Sequence, residues 1–411
     1  MSTPAQNTSS AGKTAASNSS DPVGAQDYAT TPTSKFPMLS IANDVFLATS
    51  VPEERDAARE RVYNAIVEHG MLPYLQLVGS SIDIAVDGHT QGRISTANDA
   101  ELVQLDATLA EAEDNQGNAE IGQALINKAD FFARIGDKAK TIEVYRLAFE
   151  KVPTVGAKID VALACVRVGL FFGDDEIITA NIEKARDLIE KGGDWDRRNR
   201  LKSYEGLYKL SVRDFAGATK LLVDSLKTFT SVELMDYTEF VKYAVLAGIL
   251  SLPRVELKAN VVDSPEVLEV IHKIPAIESL LGSLYSARYG EFFRTLAIVE
   301  TEHLKRSIYL HTHVRYYVRE LRIIAYAQQL ESYSSLGLSN MASSFGVSQE
   351  FIERDLVKFI AAGRLQYSID KVAGIVCSGR SDTKNAQFQQ VLKQSDTLLN
   401  SIQKLSRVVN V

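Results

Sequence analysis

Residues Val314 to Cys377 read VRYYVRELRIIAYAQQLESYSSLGLSNMASSFGVSQEFIERDLVKFIAAGRLQYSIDKVAGIVC. Three helical stretches come first. Each is expected to close on a glycine, Gly337, Gly346 or Gly363, where a left-handed backbone follows the last turn. Val314, Tyr317, Val318, Leu321, Ile324 and Ala325 recur at helical spacing in the first. Phe351, Ile352, Leu356, Phe359 and Ile360 form one apolar face in the third, with Ser348 placed to cap it and Glu350 in its first turn. The period then changes from 3.6 to 2. Leu365, Tyr367 and Ile369 alternate with Gln366 and Ser368, Asp370-Lys371 turns the chain, and Val372 to Cys377 returns. Three helices and a β-hairpin make a winged helix.

Winged helices often read DNA, and a DNA reader needs cations toward the phosphates. Between Leu338 and Cys377 four basic residues (Arg354, Lys358, Arg364, Lys371) meet four acidic ones (Glu350, Glu353, Asp355, Asp370). Such a balanced surface suits a protein partner better than a duplex. The chain as a whole has 45 basic and 52 acidic residues among 411, a net charge of -7. That balance disfavours nucleic acid and acidic membranes as partners. The longest apolar run, Ala244 to Leu252, falls well short of the ~20 residues of a membrane span. Cys165 and Cys377 fall in different expected domains, so no disulfide is expected and a reducing compartment fits.

Upstream of the winged helix the sequence repeats. Ala124-Leu125 to Ile135 and Thr141 to Val152 flank Gly136-Asp137. Ile159 to Phe172 and Ile182 to Lys191 flank Gly173-Asp174, and Arg200 to Val212 and Ala218 to Phe229 flank Arg213-Asp214. The turns lie 37 and 40 residues apart, near the ~34 of tetratricopeptide units. Ala129, Ala162 and Ala218 on inner faces allow close packing, and stacked pairs share a core that one pair could not build. Further helices are expected over Val241 to Leu250, Ser264 to Lys273 and Ile277 to Leu304. In the 36–118 region Asp56 to His69 and Ala100 to Glu113 read as helices, separated by a poorly patterned stretch from Gly79 to Thr96. Residues 1–35, of which nineteen are Ser, Thr or Ala, are expected to stay disordered. They have neither the apolar core of a signal peptide nor the arginines of a transit peptide.

After a polar linker from Ser378 to Asn385, a last helix over 386–409 carries Phe388, Val391, Leu392, Leu398, Leu399, Ile402 and Leu405 in a seven-residue pattern interrupted by Ser395. Burying these seven side chains is worth about 10–20 kcal/mol gross. The helix either folds back on its own domain or joins helices of other chains. The fold class expected is thus an all-α solenoid of TPR-like helix pairs (residues 119–230), capped by a winged-helix module with a small β-hairpin and followed by a C-terminal helix.

This arrangement resembles the PCI domain, a family shared by subunits of the proteasome lid, the signalosome and an initiation-factor complex. Its span here would be 215–383, helical to 313 and winged over 314–377. The resemblance narrows toward the proteasome lid at Gly192-Gly193-Asp194-Trp195-Asp196-Arg197-Arg198-Asn199-Arg200, Leu221 to Leu226, Met341-Ala342, Phe345 to Ser348, Phe359 to Leu365, Ile369 to Val372 and Gln403 to Arg407. After the wing the family usually runs acidic-Thr-Asn-Arg-Pro, where Cys377-Ser378-Gly379-Arg380-Ser381 stands here. The resemblance implies a non-catalytic scaffold in cytoplasm and nucleus. Its partners would be PCI and MPN lid subunits, with the ATPase ring as a further neighbour. It implies that wings pair edge to edge through Leu365, Tyr367 and Ile369, and that C-terminal helices gather in one bundle through Phe388 to Leu405. Rival readings are a signalosome PCI subunit and a nucleic-acid-binding winged helix.

No phosphate loop, dinucleotide fingerprint, nucleophile elbow or zinc-protease helix occurs, and no cofactor is expected. His311-Thr312-His313 resembles the paired histidines of the lid's zinc deubiquitinase. That enzyme continues with proline and then places serine and aspartate, where Val314, Leu321 and Ile324 stand here. A catalytic zinc needs three protein ligands. Cys165 sits in an apolar helix and reads as packing, and His69, His89, His272 and His303 are scattered singly. Trp195, among Asp194, Asp196, Arg197 and Arg198, reads as an aromatic anchor in an ion-pair rim, with a peptide-binding spot as the alternative.

Overall fold

The computed structural model describes residues 36–114, 117–378 and 383–409. The 1–35 segment expected to be disordered lies outside the described residues, as do residues 379–382 of the expected linker. The described residues open with α1 (Leu39–Ser50), α2 (Arg55–His69), α3 (Leu72–Ile82) and the long α4 (Gly88–Asp114). The poorly patterned stretch is therefore largely helical. The first part of α4, up to Thr96, buries only Ile94, so that part has no apolar stripe for a period to report; Leu102, Leu105 and Leu109 pack on the core further along.

Helix pairs follow: α5 (Asn118–Ile135) with α6 (Lys138–Lys151), α7 (Val155–Phe172) with α8 (Asp175–Glu190), and α9 (Trp195–Ser211) with α10 (Phe215–Ser225). One device makes all three turns. Gly136, Gly173 and Arg213 take the left-handed region with φ of 80°, 67° and 71°. The next residue is an aspartate whose carboxylate caps the second helix. Asp137 accepts from Lys140 N, Asp174 from Glu176 N and Ile177 N, and Asp214 from Gly217 N. Lys138 Nζ donates to Asp174 at 2.6 Å, joining one turn to the next and holding that carboxyl below its ordinary range. Ala129, Ala162 and Ala218 are buried between helices.

The chain continues through α11 (Tyr237–Ser251), the short α12 (Arg254–Leu257), α13 (Pro265–Ile271), α14 (Pro275–Tyr285) and α15 (Tyr289–Val299). The single helix expected over Ile277 to Leu304 is broken at Ser286 to Arg288, with Ala287 left-handed at φ 58°. Alanine here fills the slot that glycine marks elsewhere. After a π-turn over Glu300–Leu304 and an irregular segment, α16 (Val314–Glu331) begins the winged helix.

In the winged helix, α16 ends at Ser332, not at Gly337, and Ser335–Gly337 forms a short strand, β1. Then come α17 (Leu338–Phe345), α18 (Gln349–Ala361), β2 (Tyr367–Asp370), β3 (Ile375–Ser378) and, beyond the wing, α19 (Thr383–Val409). The sheet has three antiparallel strands in the order β1-β3-β2, against the two expected; three residues are too few for a period of two to register. Gly346 and Gly363 do take positive φ. Ser348 occupies the N-cap backbone of α18, but its side chain makes no capping bond. Ile352, Leu356 and Phe359 are buried, whereas Phe351 lies half out of the core under the Arg322 guanidinium.

One hydrophobic core runs from Leu39 in α1 to Val376 in β3, and a smaller one lies among α5, α6 and α7. Within it sits Arg167 of α7, 2% exposed. Its Nε and Nη2 donate to the Phe36 carbonyl at 3.1 and 2.7 Å. Burial opposes the charge, but the Tyr204 and Tyr145 hydroxyls and the Glu233 and Asp130 carboxylates around it hold the guanidinium protonated. Breaking a buried ionic group from its partners costs about 3–5 kcal/mol. Arg167→Ala is expected to lower unfolding free energy by about that much in urea titration, whereas a loss under ~1 kcal/mol would mean the site is hydrated.

Candidate functional site

β2 pairs only with β3 among the described residues, so its other edge is open. The register sets Tyr367 opposite Ser378, Ser368 opposite Cys377, Ile369 opposite Val376 and Asp370 opposite Ile375. Tyr367 and Ile369 lean on the core, while Ser368 and Asp370 are exposed. Leu365 precedes the strand and is buried at 4% exposure. It is therefore a core residue and cannot belong to a contact surface as expected, because the alternating strand begins two residues later. The wing turn spans Lys371 to Gly374, longer than the two residues expected. Asp370 Oδ1 accepts from Val372 N and Ala373 N at 3.0 and 3.1 Å, and Gly374 closes it at φ 64°.

The basic residues of this face are half spoken for. Lys371 reaches Glu353 of α18 at 2.9 Å, and Arg364 pairs with the buried Glu320 of α16. Arg322 binds buried Asp355 at 2.6 Å. These pairs brace α16, α18 and the wing against each other and set carboxylates beside two of the four cations a duplex would meet.

In α19 every described side chain is exposed. Phe388 is 60% exposed, Leu398 65% and Leu405 64%; Val391, Leu392, Leu399 and Ile402 are exposed likewise. The helix does not fold back on its own domain. Residues 388, 391, 395, 398, 402, 405 and 409 alternate at steps of three and four, so Val409, missed by the sequence reading, continues the seam beyond Leu405. The helix starts at Thr383, three residues earlier than expected. It is also basic, with Lys384, Lys393, Lys404 and Arg407 against Asp396 in a chain of net charge -7.

The histidine pair has structural work. His313 Nε2 lies 2.7 Å from the Ser211 carbonyl, and His311 Nδ1 lies 2.9 Å from the Ile308 carbonyl with its ring against Phe46. Among the described residues no three His, Cys, Asp or Glu stand together to hold a metal, and no helix is long and apolar enough to cross a membrane. Trp195 is 60% exposed, so it is no anchor. The charges beside it bind inward: Arg197 holds Asp160 of α7 through two bonds of 3.0 and 2.7 Å, and Thr230 donates to Asp196.

A model of 26S proteasome subunit RPN7 matches residues 91–260, and one of the PCI domain matches 294–380. The chain is 42% identical over 377 residues to 26S proteasome non-ATPase regulatory subunit 6 of Dictyostelium discoideum, covering 92% of this chain and 98% of the relative. It belongs to the 26S proteasome non-ATPase regulatory subunit 6 family. The homolog from Arabidopsis thaliana in this family is 44% identical over 382 residues, with the same coverage. An alignment that long takes in residues far ahead of Gly192, where the first of the motifs quoted above begins. Subunit 1 of the COP9 signalosome complex from Arabidopsis thaliana is more distant, 25% identical over 72% of this chain and 67% of its own length.

Two outcomes test these assignments. A gel shift at low salt is expected to show no binding of duplex DNA; a complex that weakens steeply with salt would reverse the charge argument. Burial pushes the Cys165 thiol up to about 12, so at pH 8 it stays protonated and unreactive toward iodoacetamide. Unfolding restores an ordinary thiol, roughly a quarter thiolate at that pH. Mass spectrometry should find Cys165 modified only after denaturation.

Proposed function

We propose that this chain is a non-catalytic scaffold subunit of the regulatory-particle lid of the 26S proteasome, serving ubiquitin-dependent protein degradation through assembly. The observation that carries this reading is end-to-end similarity, at 42% and 44% identity, to relatives named as non-ATPase regulatory subunits of the 26S proteasome. Two surfaces suit the role. The open edge of β2, with Tyr367 and Ile369 setting its register, can extend a sheet into a neighbouring PCI wing. The seam of α19, from Phe388 through Val391, Leu392, Leu398, Leu399, Ile402 and Leu405, can join a bundle with helices of other lid subunits. The partners are then PCI and MPN lid subunits in a hetero-oligomer, with the ATPase ring adjacent, in cytoplasm and nucleus. The engaged histidines 311 and 313 support a role without metal chemistry.

A tagged copy should recover lid subunits, ATPases and core particle from its own cell extract, identified by mass spectrometry. Recovery of signalosome subunits alone would overturn the assignment. Deleting 383–409, or changing Leu398, Leu399 and Ile402 to Asp, should reduce recovered lid at least about tenfold, since forfeiting one buried leucine already approaches ~1.4 kcal/mol. Unchanged recovery would remove α19 from the mechanism.

A further inference from the structure

Between the π-turn ending at Leu304 and the start of α16 at Val314, the chain crosses from the helical region into the winged helix with no α-helix of its own. What fixes this 305–313 segment comes from two directions. From below, Tyr243 of α11 shares a buried hydrogen bond of 2.8 Å with Ser307, and His313 reaches the Ser211 carbonyl at the end of α9. From the other side comes α1 with the turn that follows it. Asn43 Oδ1 accepts from Ile308 N at 3.4 Å, Phe46 packs on the His311 ring at a centroid distance of 4.3 Å, and Glu54 binds Arg306 at 2.6 Å with Glu53 at 3.9 Å. Asn43 and Ile308 are 265 residues apart.

The near end of this helix is tied down independently, by the Phe36 carbonyl on buried Arg167 of α7. Its inner face, Leu39, Ile41, Ala42, Leu47 and Ala48, is buried. The helix also packs on α2, where Arg61 donates to Asp44 at 2.7 Å. Two clefts open where it meets the junction, one of ≈ 520 Å³ lined by Asn43, Lys242, His303 and Tyr309 and one of ≈ 770 Å³ lined by Val51, Thr301 and Lys305; Glu302 and Arg306 line both. The helix thus bridges α7 to the junction with open space beside that contact.

We propose that α1, with the Pro52–Glu54 turn, is a clasp that braces the 305–313 junction and couples the N-terminal helices energetically to the winged helix. Releasing the clasp loosens the junction. By reciprocity, a partner that engages α1 through the clefts beside it stiffens the mounting of the winged helix, and one that engages the winged helix tightens α1. This coupling is internal to the chain and does not depend on what the chain assembles with.

Hydrogen–deuterium exchange on the full chain tests it. Arg306→Glu sets like charges against Glu53, Glu54 and Glu302. It should speed exchange about three- to tenfold in peptides over 39–50 and, together with them, over 305–321. The charge swap Arg306→Glu with Glu54→Arg should restore both regions. Asn43→Ala, which alters no charge, should give the same paired change at smaller amplitude and serves if Arg306→Glu disturbs the fold as read by circular dichroism. Faster exchange confined to 39–50, or no change in either region, would overturn the clasp.

Discussion

A pair of helices buries one face against its own partner and leaves a second apolar face that only another pair can cover. That constraint runs through this chain. Each pair from α5 to α10 covers the next, the series continues through α11 to α15, and the winged helix closes it with Leu356, Phe359 and Val376 still in the same core that began at Leu39. The turns must be tight for the faces to meet, which is why a left-handed residue and a capping aspartate recur at Asp137, Asp174 and Asp214. Charges are then recruited as cross-ties between layers, as with Arg197 on Asp160 and Lys138 on Asp174. Exposed pairs of this kind add little stability each. Their geometry instead fixes the stacking of layers whose apolar faces alone would slide.

Legibility followed locality. Gly136-Asp137 and Gly173-Asp174 announce turns because glycine and aspartate have local reasons to be there, and α19 announces its seam through a period of seven. Ala287 did not announce a turn, since alanine at φ 58° contradicts its usual preference. Nor did Ser335 to Gly337 announce a strand, because three residues owe their pairing to Ile375 to Cys377, some forty residues on. The helix over Gly88 to Ala100 was hidden for a different reason: it buries almost nothing. Leu365 shows the limit of a period of two. It fits the alternation by identity but belongs to the core, since nothing in the pattern marks where a strand begins.

The same limit governs the longest-range contacts. No residue type near Asn43 hints at Ile308, and no feature around Arg167 hints at a carbonyl 131 residues earlier. The winged helix is a different case, since its charge balance can be counted without knowing any contact. Its balanced charges resolve in space into the pairs Lys371 with Glu353, Arg322 with Asp355 and Arg364 with Glu320. Two of the four cations counted there, Lys371 and Arg364, thus stand beside carboxylates of the same module.

Where charge lies on α19 bears on selectivity. Counted from Phe388 and Val391, the seam leaves Lys393, Asp396, Lys404 and Arg407 on the outer face of the helix, and the flanking positions hold Leu392, Gln394, Leu399, Ser401, Ser406 and Val408, none of them charged. Charges at flanking positions set partner choice in coiled interfaces, and this helix supplies none there. Ser395 adds a polar residue to the seam at a position where an apolar one would strengthen indiscriminate pairing. Partner choice then falls to Ser395 and to the shapes of the apolar side chains rather than to charge. An apolar surface that would otherwise pair indiscriminately thereby carries one polar residue in its seam that a partner has to match.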